Sequence, residues 1–220
     1  IYSGEAGLLV TPQISLNDLS WQWIPSNLLG ADIGYFVKAH TANGKLSANA
    51  AVPLSQLLTG LVKDASATEV RGSIPLSDLP LPPVAKSVPL QADLLLNLAS
   101  LAMTDQFPSE ATGSVILGNI TFTMGDSPVA IGTVFADLST QESGEIVADL
   151  SSDGDMLDLA AVAKLQTDGR WSVEGNLVLA ETLPPVLFPV FGALGKRQRD
   201  GSYLIAHNGQ LPKPAMQANP

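Results

Sequence analysis

The sequence predicts an all-β protein: a curved antiparallel sheet or partly closed barrel built from hairpins and meanders, with few and short helices. Three observations predict it. Apolar and polar residues alternate with a period of two along most of the chain, as strand side chains do when they point to opposite faces. Turn dipeptides fall between the alternating runs: Asn43-Gly44, Gly125-Asp126, Asp153-Gly154, Asp168-Gly169 and Asn208-Gly209. Aromatic residues make up only 5% and the apolar content is mostly Leu, Val and Ala, which suits a thin, extended core.

Taken in order, Trp21 and Trp23 differ by two positions, so a strand puts both rings on one side, where they read as core packing beneath a sheet. Pro25 ends that strand, and the stretch from Ser26 through Leu28 and Leu29 to Gly30 makes a corner. Tyr35 to His40 and Lys45 to Leu54 should pair across Asn43-Gly44, a dipeptide that tolerates the positive φ of a tight hairpin. Ser114 to Thr123 and Val129 to Leu138 form a second hairpin around Gly125-Asp126. Ile146 to Leu150, Leu157 to Leu165 and Trp171 to Leu179 form a three-stranded meander joined by two Asp-Gly turns. Tyr203 to Ala206 is a last strand before an Asn208-Gly209 turn. Helical patterns are confined to Ser55 to Asp64, to the proline-broken stretch Leu183 to Leu194, and to Leu94 to Met103 as a third candidate.

At 220 residues the chain has room for one large β domain or two small ones. The reading is a single domain, 1–220, with 1–78 and 90–211 as candidate halves of an internal repeat. Gly44 to Ala48 is echoed by Gly144 to Ala148, and Val70 to Leu76 by Val173 to Leu179. The segment 79–89 would join the halves. Its Pro80, Pro82, Pro83 and Pro89 cannot donate to a ladder, so it reads as a connector or edge cover.

A net charge of −10 leaves no basic stripe for nucleic acid. The one basic cluster, Lys196, Arg197 and Arg199, runs into Asp200 and reads as a short loop facing water. The absence of cysteine removes disulfides, thiolate catalysis and cysteine–zinc sites together. The chain starts at Ile1 rather than Met, so it reads as part of a longer precursor, with any membrane anchor expected upstream. The most apolar stretch, Leu183 to Leu194, is too short to span a bilayer.

Catalytic chemistry finds little support. His40 and His207 both lie beside turns and read as exposed strand-end residues. There is no Gly-x-Ser-x-Gly elbow and no His-Glu-x-x-His helix. Most acids take the outward phase of strands or the turns, whereas acid–base work needs carboxylates in a shielded pocket. Asp149, Asp153, Asp155 and Asp158 are the dense acidic cluster. They lack the spacing and closing Glu of an EF-hand, so a hairpin turn is the first reading and a loose calcium site the second. Asn119-Ile120-Thr121 is a formal glycosylation sequon read as mid-strand. The expectation is a non-enzyme without metal or cofactor.

Two stretches carry a family likeness. Tyr2, Gly4 and Glu5, followed by Trp21, Trp23, Pro25, Leu28 and Leu29, resemble the opening of protein N of the bacterial type II (general) secretion pathway. In that family a Gly-Thr-x-Trp-Ser-Gly stretch precedes a Trp-x-x-Pro corner and Leu-Leu. Leu194-Gly195, then Gly201, Tyr203 and Gly209, resemble its end. Tyr2 stands where the family has Trp. The resemblance implies a periplasmic domain tethered to the inner membrane by a preceding anchor, acting as an accessory or scaffold subunit of protein export. Its partners would be other secretion subunits, on the inner-membrane platform or the secretin. The alternative is a periplasmic β module whose apolar trough holds a lipid or other hydrophobic ligand. An outer-membrane barrel is a poor match, for aromatic girdles are lacking.

Overall fold

A computed structural model of the chain describes residues 3–10, 15–59, 62–79, 90–105, 107–124, 127–154, 156–184 and 187–211. Its strands are β1 (Ser3–Val10), β2 (Ser15–Ile24), β3 (Asp32–His40), β4 (Lys45–Pro53), β5 (Ala65–Pro75), β6 (Leu90–Thr104) and β7 (Phe107–Met124). They continue as β8 (Ser127–Thr140), β9 (Ile146–Asp153), β10 (Leu157–Leu165), β11 (Arg170–Leu179), β12 (Lys196–Arg197) and β13 (Tyr203–Gln210). All 13 join one antiparallel sheet in chain order, except that β13 inserts between β11 and β12. The sheet is curved and does not close, so β1 and β12 are its two edges. The helices are short: α1 (Leu54–Thr59) and α2 (Phe188–Gly192). Among the described residues no helix is long and apolar enough to cross a membrane.

The alternation read from the sequence becomes two faces. One row on the inner face runs Ala39, Leu46, Gly72, Leu96, Val115, Ala136, Leu150, Ala161, Gly175 and Ile205, each directly opposite the next. Every member is small or apolar. The buried core gathers at one end of this face, where Phe122, Ile131, Leu157, Leu177, Tyr203 and Ile205 meet Leu183 and Leu187. Those two leucines come from the segment after β11 and are fully buried. Burying each removes apolar area worth about 1.5–3 kcal/mol, so this short crossover fixes the C-terminal third of the sheet.

The meander is present as β9, β10 and β11, with Gly154 and Gly169 at positive φ in its two turns. The hairpin β7–β8 also forms, although the expected turn at Gly125-Asp126 lies outside the described residues, as does the connector over 80–89.

Four local expectations need correction. Leu94 to Met103 is strand β6, not helix. Leu95 on its outer face lies opposite Ile116, which in turn lies opposite Phe135, so the outer face is apolar here too and alternation is lost from the sequence while the ladder remains. The helical stretches Ser55 to Asp64 and Leu183 to Leu194 shrink to α1 and α2. Gln56 Oε1 accepts the Lys63 and Asp64 N–H groups at 2.7 and 2.9 Å, folding the chain back after α1. Asn208-Gly209 is no turn: both lie inside β13, opposite Ser172 and Trp171. The Lys196–Arg197 pair is strand β12 against Leu204 and Tyr203 rather than loop.

The β3–β4 connection departs in a subtler way. Neither Asn43 nor Gly44 takes positive φ. The turn is closed by Thr41 N–H to Gly44 O at 3.0 Å and held by a carboxylate from after β5. Asp78 accepts from the buried Thr41 hydroxyl at 2.6 Å, from Asn43 N–H at 2.8 Å and from Asn43 Nδ2 at 3.1 Å.

Candidate functional site

The residues singled out in the sequence divide into two groups at opposite ends of the sheet. Gly4 lies directly opposite Trp21 across β1–β2, and the indole covers it so closely that any Cβ there would overlap ring atom Cζ2. Trp21 and Trp23 share the inner face, opposite Val37 and Tyr35, and are half-buried rather than part of the buried core. Pro25 opens a 3-10 helix, Pro25–Gly30, that carries Leu28 and Leu29 on its surface; Leu29 is 94% exposed. Tyr2 lies outside the described residues. At the far end, Gly201 takes φ +90 in the turn before β13, and Tyr203 is buried in the core.

No catalytic constellation links these residues. Both histidines are exposed. His40 closes β3, while His207 lies inside β13 with its Nε2 2.7 Å from Leu194 O. Of the acidic cluster, Asp149, Asp153 and Asp158 are exposed and Asp155 lies outside the described residues. Among the described residues, no three His, Cys, Asp or Glu side chains come together as a metal-sized group. Three carboxyls are held below the ordinary aspartate value, all by turn hydrogen bonds. The Thr41 hydroxyl is the leading cause at Asp78, the Arg170 N–H at Asp168 and the Ser202 hydroxyl at Asp200. These groups hold turns shut and are not poised for proton transfer. Asn119, of the sequon, sits at positive φ in a bulge of β7, its Nδ2 3.0 Å from Asp93 Oδ2.

What the geometry does offer is an open strand edge. Among the described residues β1 pairs only with β2, leaving one side of an eight-residue strand unmatched. Leu8 and Leu9 are 62% and 43% exposed, and Glu5 is the only charge on the strand. Natural edges are normally blunted by charge, proline or cover; β1 carries one charge and no proline, and among the described residues no strand covers its free side. No local pattern signals this edge, because pairing order is a property of the whole sheet.

The second surface is the inner face away from the core. Leu46, Val52, Leu94, Leu96, Leu138 and Leu150 are half-buried there, outside the buried cluster.

No curated protein and no solved structure matches the chain. A family model described as Type II secretion system (T2SS), protein N matches residues 1–206, nearly the full length, taking in the first motif and the second as far as Tyr203, with Gly209 beyond it. The chain therefore belongs to the type II secretion system protein N family and is a component of protein secretion.

Proposed function

We propose that the chain is a non-enzymatic accessory or scaffold subunit of the type II secretion machinery, periplasmic and tethered to the inner membrane by a segment preceding β1. It works by lending its β1 edge to a strand of another secretion subunit. The observation that carries this reading is the unmatched side of β1 with Leu8 and Leu9 exposed beside it. An added strand would gain a row of main-chain hydrogen bonds, and the two leucines would supply side-chain selectivity. Substituting Leu8→Lys and Leu9→Lys together puts charge on the edge, which disfavours strand addition. The expected outcome in a secreting cell is a folded, normally abundant protein with reduced export of folded substrate. Undiminished export with the doubly charged edge would contradict the reading.

A second reading follows from the half-buried leucines of the inner face, which form an apolar trough suited to an acyl chain. Native mass spectrometry of protein purified without detergent tests it. A co-purified lipid supports a ligand-binding role, and a bare chain opposes it.

A further inference from the structure

The outer face of the sheet has a charge order that the net charge conceals. One row of directly opposed residues reads Lys38, Ser47, Arg71, Asn97, Ser114, Asp137, Asp149, Val162 and Glu174, from β3 to β11. Its cations stand on β3 and β5 and its carboxylates on β8, β9 and β11. The neighbouring row passes through Leu95, Ile116 and Phe135 on β6, β7 and β8, placing an apolar patch between the two charged ends. Glu5 lies two strands beyond Lys38, and Lys164 lies one row from Asp149.

Among the described residues none of the charges in this row has an ion-pair partner. Among the described residues the ion pairs are Lys63–Asp105 and Arg170–Asp168. Lys38 stands 5.2 Å from the Phe36 ring centroid. Asp137 and Asp149 sit directly opposite one another, an arrangement of like charges that costs stability. A cation brought in from outside would offset that cost.

The row is also self-complementary about β7. Arg71 and Asp149 are each two strands from β7, and Lys38 and Glu174 are each four strands from it. Asn97 and Asp137 flank it, as do Leu95 and Phe135, with Ser114 and Ile116 on β7 itself. A two-fold axis lying along β7, between two outer faces, brings Arg71 of one copy opposite Asp149 of the other, while Lys38 and Glu174, four strands out on a curved and twisted sheet, turn away from the contact. It also stacks the apolar patch on itself. Two sheets of the same twist pack face to face in this way, and a two-fold interface requires such self-complementarity.

We propose that the outer face docks a second copy of this chain about that axis, Arg71 of each copy against Asp149 of the other. The two symmetry-related Arg71–Asp149 pairs and the apolar patch between them form the contact.

The test is sedimentation equilibrium of the 220-residue chain, comparing the wild type with Arg71→Glu, Asp149→Arg and both together. The wild type dimerises, each single reversal weakens dimerisation at least tenfold, and the double reversal restores it to within about threefold. General charge repulsion behaves otherwise. Arg71→Glu makes an acidic chain more acidic, but Asp149→Arg makes it less so and would strengthen association. A monomeric wild type, an Asp149→Arg variant that dimerises as well as the wild type, or a double reversal that fails to restore pairing would each overturn the proposal. Circular dichroism confirms that these exposed substitutions keep the fold.

Discussion

The first and last edges of the sheet share one local device. Trp21 lies over Gly4 across β1–β2, and Trp171 lies over Gly209 across β11–β13, each indole covering a glycine directly opposite it. An aromatic ring laid on an edge glycine supplies the apolar cover that the glycine lacks. The surroundings then diverge. At the C-terminal end Tyr203 and Ile205 are 6% and 8% exposed, buried beneath Leu183 and Leu187. The outer side of β13 is partly closed by Lys196 and Arg197 of β12 and by the Leu194 carbonyl at His207. At the N-terminal end the indole and glycine stand outside the buried cluster, and among the described residues the strand beyond them has no second partner. Among the described residues one edge is partly covered by the chain itself and the other is not.

The largest effect that tests this contrast is a core truncation. Tyr203→Ala should cost about 3–5 kcal/mol by urea unfolding, as large-to-small changes at buried aromatics do. Leu8→Ala at the open edge should stay within about 0.5 kcal/mol. Comparable costs at the two sites would mean that β1 is held as firmly as β13.

A smaller effect compares the two glycines. Gly209→Val forces a branched side chain into the Trp171 ring, where even a Cβ would approach Cζ2 to 2.7 Å, and should cost about 1–3 kcal/mol. Gly4→Val meets Trp21 even more closely, but β1 is paired on one side only among the described residues, so if it can shift away the cost should fall below about 1 kcal/mol. Thermal melts of the two variants decide the order.

The smallest effect concerns the β3–β4 turn, which is stapled by Asp78. Its folded pKa lies below the ordinary 3.8, chiefly through the Thr41 hydroxyl. A depressed carboxyl stabilises the fold above its unfolded pKa and loses that contribution as pH falls through the lowered folded value. Asp78→Asn should therefore lower the melting temperature at pH 7, by no more than about 1 kcal/mol given the solvent screening of this site. The gap between the two proteins should close below about pH 4. A gap that persists unchanged at pH 2 would show that the carboxylate charge is not what holds the turn.

The meander β9–β11 was legible because its outer positions are polar, its inner ones apolar, and its turns use glycines that the backbone needs at positive φ. β6 was not, since Leu94, Leu95 and Leu96 are apolar on both faces and a leucine run reads equally as helix. The bulges were invisible for another reason. Asp18, Glu69 and Asn119 take positive φ where the registers of β2–β3, β4–β5 and β7–β8 shift. Such a shift depends on the neighbouring strand, not on local composition. The motif residues Gly4 and Trp21 were picked out one by one, but their contact requires β1 to pair with β2. The free side of β1 and the charge order across the outer face follow from strand order, which no local pattern encodes.

The contrast between the edges is tested most directly by photocrosslinking in secreting cells, with a photoreactive residue at Leu8 in one protein and at His207 in another. Position 8 should capture an identified subunit of the secretion apparatus, and position 207 should not. Capture at 207 alone, equal capture at both, or none at position 8 would contradict the assignment of β1 as the edge left open for a partner.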